Sequence, residues 1–174
     1  MTELSKYKLE SLREDPEFVF YRGRRDAAPC SILVVAPSSK QPARQTLRRI
    51  EHEYKLRTEL DPAWATQPLA LVHHEGQTVL VLEDPGGEPL NRLLAQPQEL
   101  TRALRIAIGL SAALESLHER GIIHKDIKPA KLYGGSDVER GLAYRLRFRI
   151  ETATRAPGSR TSRNNWRHSR VHGA

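Results

Sequence analysis

The sequence predicts an α+β fold in which a five-stranded antiparallel sheet with one packed helix precedes a layer of helices. Two observations lead to this class. Short aromatic and β-branched runs bounded by Pro, Gly and Asp alternate with segments of helical periodicity, in the order three strands, one helix, two strands and further helices. The chain has 174 residues, a length that suits one domain or one domain with a tail.

The first three strands are predicted at Tyr7–Leu12, Phe18–Arg24 and Cys30–Ala36. The turn chemistry of Arg13–Glu17 separates the first two strands. The third strand contains an unbroken apolar run, which is typical of a buried strand.

A charged helix is predicted next, from Pro42 to about Asp61. Proline is favoured in the first turn of a helix, because its missing N–H has no partner there in any case. Leu47, Ile50 and Tyr54 recur at helical spacing and form one apolar stripe.

Two more strands are predicted at Leu69–His74 and Thr78–Leu82, as a hairpin-like pair. A short helical piece at Leu90–Leu94 precedes a long helix at Leu100–Arg120, which Gly121 is placed to end. The long helix carries an apolar stripe at helical spacing, formed by Leu104, Ala107, Leu110, Leu114 and Leu117.

Composition excludes several classes of protein. The longest apolar runs are far shorter than the roughly 20 residues of a membrane span, and the polar N-terminus lacks a secretory signal. Cys30 is the only cysteine, which excludes a disulfide framework and a Cys-rich zinc site, and no metal ligand set is predicted. We therefore expect a cytoplasmic protein without membrane contact.

Charge is unevenly distributed along the chain. Residues 1–130 hold equal numbers of Lys+Arg and Asp+Glu, so the whole net charge of +7 lies in 131–174, which contains nine arginines. We expect a neutral body followed by a disordered basic tail. Nucleic-acid binding by these arginines with Tyr144 and Trp166 is the least favoured of three functions considered.

One motif contains the candidate catalytic residues. Gly121-Ile-Ile-His-Lys-Asp-Ile-Lys-Pro129 directly follows the long helix. Here the chain resembles a protein kinase, because His124-Lys125-Asp126 matches the catalytic loop of that family and Lys128 matches its following lysine. The likeness is greatest to the Ser/Thr kinase-like N-terminal module of large bacterial multidomain signalling proteins with ATPase and sensor-kinase parts. The motifs that suggest this subgroup are Arg22-Gly-Arg24, His52-Glu-Tyr54 and Leu82–Leu90.

The resemblance implies Ser/Thr phosphorylation with ATP and magnesium, and it assigns a role to each matched residue. Asp126 accepts the proton of the attacking hydroxyl and Lys128 reaches the transferring phosphate, so these two are the predicted catalytic residues. Glu53 matches the helix glutamate of the family, and Glu83 and Asp84 lie near the hinge, so these three are the candidate cofactor-binding residues. The expected partner is a protein substrate or another signalling domain.

The resemblance also divides the chain. Residues 1–84 correspond to the small lobe and hinge of a kinase, and residues 85–130 to the start of the helical large lobe, including the catalytic loop. The likeness stops at Ala130, so 131–174 is expected to be the disordered tail.

Several positions depart from the kinase pattern. The turn at Arg13–Glu17 corresponds to the phosphate-covering loop, but it has no glycine and carries three carboxylates that repel ATP. Val35 or Ala36 stands where the family has a lysine on its third strand. Lys131 stands where the family has a metal-binding asparagine, and no Asp-Phe-Gly follows. We therefore expect a truncated kinase-like chain that is inactive in phosphate transfer.

The tail also admits a reading-frame hypothesis. If translation starts at the second base of each codon, a lysine codon at Lys131 followed by a leucine codon encodes asparagine. In the same frame, suitable codons for Arg145-Leu-Arg147 encode Asp-Phe-Gly. We therefore expect residues 131–174 to be a frameshift product. The two leading functions are an inactive kinase fragment and a pseudokinase or regulatory interaction module.

Overall fold

A five-stranded antiparallel sheet forms the N-terminal half of the chain. The computed structural model describes residues 4–25, 31–124, 126–134 and 144–146. The order of the strands across the sheet is β1-β2-β3-β5-β4, and helix α1 (Arg44–Lys55) packs on it. The predicted α+β class is confirmed. The strands are β1 (Lys8–Glu14), β2 (Phe18–Arg24), β3 (Ile32–Pro37), β4 (Pro68–His74) and β5 (Gln77–Glu83).

Both faces of the sheet carry a core. All six residues of β3 are buried, which explains the unbroken apolar run of this central strand. The predicted start of this strand at Cys30 lies outside the described residues. The core between this sheet and α1 contains Ile50 of the helix together with the sheet residues Phe18, Phe20, Leu33, Val35, Leu80 and Leu82. The opposite face is formed by Leu4, Ile32, Val34, Ala36, Val79 and Val81.

Helix α1 is shorter than the sequence predicts. It ends at Lys55 rather than near Asp61, and a 3-10 turn, Leu56–Thr58, follows it. Leu60 is buried in the core of the helical half of the chain, so the backbone leaves the sheet at this point. The Asp61 carboxylate accepts a hydrogen bond from the Ala63 amide at 2.9 Å, which starts a new turn.

The second half of the chain is helical. Helices α2 (Leu90–Leu93) and α3 (Leu100–Glu119) agree with the predicted segments to within one residue at each end. The predicted stripe of α3 is only partly correct, because Leu117 is buried whereas Leu104 is 53% exposed. Among the described residues, the helices are too short or too polar to span a membrane. The buried positions of α3 are Ile106, Ala113 and Leu117.

The structure differs from expectation at the start of the predicted tail. Residues Leu132–Gly134 form strand β6, which pairs with β7 (Tyr144–Leu146). Leu132 is buried in the core of the helical half, and Tyr133 is buried in the core beneath α1. These first positions are ordered because their side chains are apolar and fit both cores. The rest of 131–174 lies outside the described residues, apart from β7.

Candidate catalytic loop and nucleotide cleft

A glycine-ended turn carries the chain from α3 into the candidate catalytic loop. Gly121 adopts a φ of 71°, a conformation that glycine reaches without strain. Its amide donates to the His118 carbonyl at 2.8 Å, and the Ile122 amide donates to the Leu117 carbonyl at 3.2 Å. These are the paired bonds of a Schellman motif. Ile122 is buried in the helical core, which fixes the start of the loop.

The loop brings the two predicted catalytic residues together. The Asp126 side chain is 31% exposed, and the Lys128 ammonium lies 3.7 Å from its Oδ2 atom. The Asp126 amide donates a hydrogen bond to Nδ1 of His124 at 3.3 Å. Because His124 is buried, its imidazole holds the backbone of the loop in place.

Lys131 adds a charged group to this loop. It ends a 3-10 turn, Pro129–Lys131, and its side chain is fully buried. Its ammonium contacts Oδ2 of Asp126, and its amide donates to the Lys128 carbonyl at 2.8 Å. The sequence identifies Lys131 only as a departure from the kinase pattern. The only sequence signal for this contact is an aspartate and a lysine five positions apart across a proline turn. That spacing is too common to predict an ion pair.

A narrow cleft lies next to the loop, between the sheet and the helical half. Its volume is about 80 Å³, whereas pockets that hold ligands usually measure about 300–1,000 Å³. The Arg13 guanidinium stacks over the Phe20 ring at 4.3 Å and narrows the cleft from the sheet side. The buried Tyr133 and the backbone around Pro89 narrow it from the other side.

The turn between β1 and β2 uses its backbone amides internally. Oδ1 of Asp15 accepts hydrogen bonds from the amides of Glu17 at 3.1 Å and Phe18 at 2.8 Å. Glu17 contacts Arg49 of α1 and accepts a hydrogen bond from the Thr46 hydroxyl at 3.0 Å. The Asp15 carboxylate thus occupies the amides with which such a turn would bind an external anion.

Strand β3 places an apolar side chain beneath α1. Val35 belongs to the core that contains Ile50, whereas Ala36 belongs to the core on the opposite face, so neither of the two candidate positions places a cation beneath α1. Lys40 lies in the exposed turn that follows the strand. Glu53 is buried on the inner side of α1 at 9% exposure.

Asp84 ties the hinge to the sheet. Its side chain is 1% exposed, and its Oδ2 lies 2.7 Å from Nε of Arg22. The carboxylate also accepts hydrogen bonds from the Ser31 hydroxyl at 2.6 Å and the Gly86 amide at 3.0 Å. The Arg22 guanidinium donates to the Gly87 carbonyl at 3.0 Å as well. Asp84 is therefore engaged in holding β2, β3 and the hinge together.

The residues present do not fit magnesium and ATP. Two lysine ammonium groups surround the Asp126 carboxylate, and the part of the chain that the structure describes holds no cluster of three His, Cys, Asp or Glu residues suited to a metal. The volume of the cleft also lies below the range that is usual for ligand pockets. The Glu83 amide donates to the Gln67 carbonyl at 2.8 Å, and a ligand role for the Glu83 side chain stays a prediction.

The fold matches solved structures of protein kinases. One is a double mutant of the kinase domain of PknI from Mycobacterium tuberculosis, with a TM-score of 0.62 and 18% identity over 86% of this chain and 63% of that domain. A single mutant of the same domain gives a TM-score of 0.60 and 18% identity over 83% and 59% of the two chains. This chain therefore spans about three fifths of the length of those domains.

No protein-family model and no curated protein sequence matches this chain. The structural likeness nevertheless extends over 86% of this chain at a TM-score of 0.62. The predicted kinase-like architecture is confirmed. The narrower likeness to the N-terminal module of multidomain signalling proteins stays a prediction. The chain has a protein kinase-like fold.

Proposed function

We propose that this chain is a kinase-like interaction module that acts by binding a protein partner and does not transfer phosphate. The observation that carries this proposal is the narrow cleft, whose volume of about 80 Å³ is well below the roughly 300–1,000 Å³ of pockets that hold ligands. Phe20 and Tyr133 line this cleft, and both are buried at 3% exposure in the core beneath α1.

Three further features support a non-catalytic role. Phosphoryl transfer requires amides and cations that position and neutralise the nucleotide phosphates. Here the turn amides are bound by Asp15, and the third strand presents Val35. The carboxylate of Asp126 contacts the buried ammonium of Lys131. Each group that the kinase mechanism requires at these positions is replaced by an internal contact.

An exposed apolar face supports a protein partner. On α3, Leu100 is 75% exposed, Leu104 is 53% exposed and Ile108 is 66% exposed. They are four residues apart and lie on one side of the helix. Contiguous apolar residues on a protein surface mark interaction sites more often than isolated ones do. A signalling domain with a complementary apolar surface is the partner class that this face supports.

A Ser/Thr phosphotransferase that uses ATP and magnesium is the second candidate. The observation in its favour is the proximity of Asp126 and Lys128, whose charged groups lie 3.7 Å apart and are partly exposed. In this function Asp126 accepts the proton of the hydroxyl and Lys128 contacts the phosphate.

A transfer assay separates the two functions. Labelled ATP with magnesium is incubated with the full chain and a mixed library of Ser- and Thr-containing peptides, and Asp126→Asn is run beside it. We expect no label in the chain or the peptides above that of Asp126→Asn. Transfer by the wild type that Asp126→Asn abolishes would establish the phosphotransferase and overturn the interaction module.

A further inference from the structure

The catalytic loop contains a buried cation of its own. The Lys131 side chain is fully buried, and its ammonium contacts Oδ2 of Asp126. Lys128 approaches the same oxygen at 3.7 Å, but its side chain is 43% exposed. The two lysines therefore differ in solvent exposure, because Lys131 is enclosed by protein and Lys128 reaches water.

A backbone hydrogen bond and the packing of the next two residues fix the position of Lys131. The turn before it is closed by the bond from its own amide to the Lys128 carbonyl at 2.8 Å. The next two residues are buried in different cores, Leu132 with the helical half and Tyr133 beneath α1. The ammonium therefore has little freedom to leave Asp126, and a buried ammonium requires such an opposite charge.

Charge at this site disfavours a metal ion. Two ammonium groups, those of Lys128 and Lys131, lie next to Oδ2 of Asp126 among the described residues. A divalent cation at this carboxylate would lie a few ångströms from both ammonium groups, where the repulsion is strong. The oxygen that the cation would bind is already in contact with Lys131.

We propose that Lys131, at the position of the kinase family's metal-binding asparagine, is a fixed internal cation that keeps a divalent metal ion out of this loop. It orders the loop from Asp126 to Leu132 without a metal, and it excludes a metal from the carboxylate. Lys131 is thus a positioning residue for Asp126. This property belongs to the loop itself and holds whether or not a partner binds the chain elsewhere.

Paramagnetic Mn²⁺ tests this role directly on the full isotope-labelled chain. In the wild type, we expect no selective broadening of the Asp126 and Leu132 amide signals on adding MnCl₂. Hydrogen exchange of the loop amides should be the same with and without a chelator. In Lys131→Asn, which removes the ammonium and adds an amide oxygen, Mn²⁺ should broaden these signals with an affinity about tenfold higher than in the wild type.

Lys128→Asn is the matched control, because it removes an exposed ammonium next to the same carboxylate. We expect its gain in Mn²⁺ affinity to be smaller than that of Lys131→Asn. Equal gains in the two variants would overturn the proposal. Selective broadening by Mn²⁺ in the wild type that is absent in Asp126→Asn would also overturn it. Loss of hydrogen-exchange protection in the loop on adding a chelator would do the same. If Lys131→Asn does not fold, Mn²⁺ broadening and hydrogen exchange in the wild type still test the proposal.

Discussion

Replacing Asp126 with asparagine tests the buried ion pair most sharply. The change keeps the shape of the side chain and removes its charge, while the ammonium of Lys131 stays fully buried. A charge left in the interior without its partner typically costs about 3–5 kcal/mol. Because Asp126 is 31% exposed, water screens part of the interaction, and we expect the free energy of unfolding to fall by about 2–3 kcal/mol.

The reciprocal change should have a smaller effect. Lys131→Met replaces the buried ammonium with an apolar chain of similar length, and the partly exposed Asp126 can then be hydrated. We expect a loss of less than about 1 kcal/mol. The double variant should be close in stability to Lys131→Met, which gives a coupling energy of about 2 kcal/mol between the two positions.

Urea unfolding followed by far-UV circular dichroism measures all of these free energies. Lys128→Met serves as the control, because this lysine is 43% exposed and should change stability by no more than about 0.5 kcal/mol. A loss below about 0.5 kcal/mol in Asp126→Asn would refute the reasoning. Losses in the two single variants that simply add in the double variant would refute it equally.

Four other predictions follow from the same structure. Asp84→Asn should lower the free energy of unfolding by about 3 kcal/mol in urea, because the nearly buried Arg22 guanidinium loses its carboxylate partner; unchanged stability would contradict this. Gly121→Ala should cost about 1 kcal/mol or more and lower the thermal midpoint, since its φ is 71°. Leu104→Lys combined with Ile108→Lys should change stability by no more than about 0.5 kcal/mol per site and should reduce binding of a hydrophobic dye. In the coding DNA, the frame one base later should continue past the codon for Lys131 into Asp-Phe-Gly and further kinase-like sequence; an early stop codon would contradict the frameshift hypothesis.

The sheet could be predicted from sequence because its signals are local. The strand Phe18–Arg24 has the predicted bounds, since an aromatic and β-branched run between turns leaves little choice of structure. The apolar run in β3 correctly indicated a buried strand. By contrast, the end of α1 at Lys55 depends on burial of Leu56 and Leu60 in the other core, which no local pattern reveals.

The stripe on α3 shows a limit of periodicity. Leu104 and Leu117 both fit a helical apolar stripe, yet one is 53% exposed and the other is fully buried. Helical spacing identifies residues that share a face, but it does not say whether another element covers that face. In the described part of the chain, the core instead selects Ile106 and Ala113 on another side of α3.

Some features of the site also follow from a local motif, whereas others depend on contacts between distant parts of the chain. The kinase-like motif placed Asp126 and Lys128 in one loop, and the structure brings their charged groups to 3.7 Å. The engagement of Asp84 with Arg22 joins residues 62 positions apart, so it follows from the fold and not from the motif. Lys131 is likewise followed by two residues that are buried in different cores, Leu132 and Tyr133, and the motif does not reveal this packing.

The central claim is that internal contacts of the chain replace those that a kinase makes with magnesium and ATP. Nucleotide binding tests this claim most directly. Amide spectra of the full isotope-labelled chain are recorded while magnesium and ATP are added to millimolar concentration. We expect no saturable change at Glu17 and Phe18 in the first turn or at Tyr133 in the cleft. Saturable shifts at these amides that require both magnesium and ATP would contradict the account.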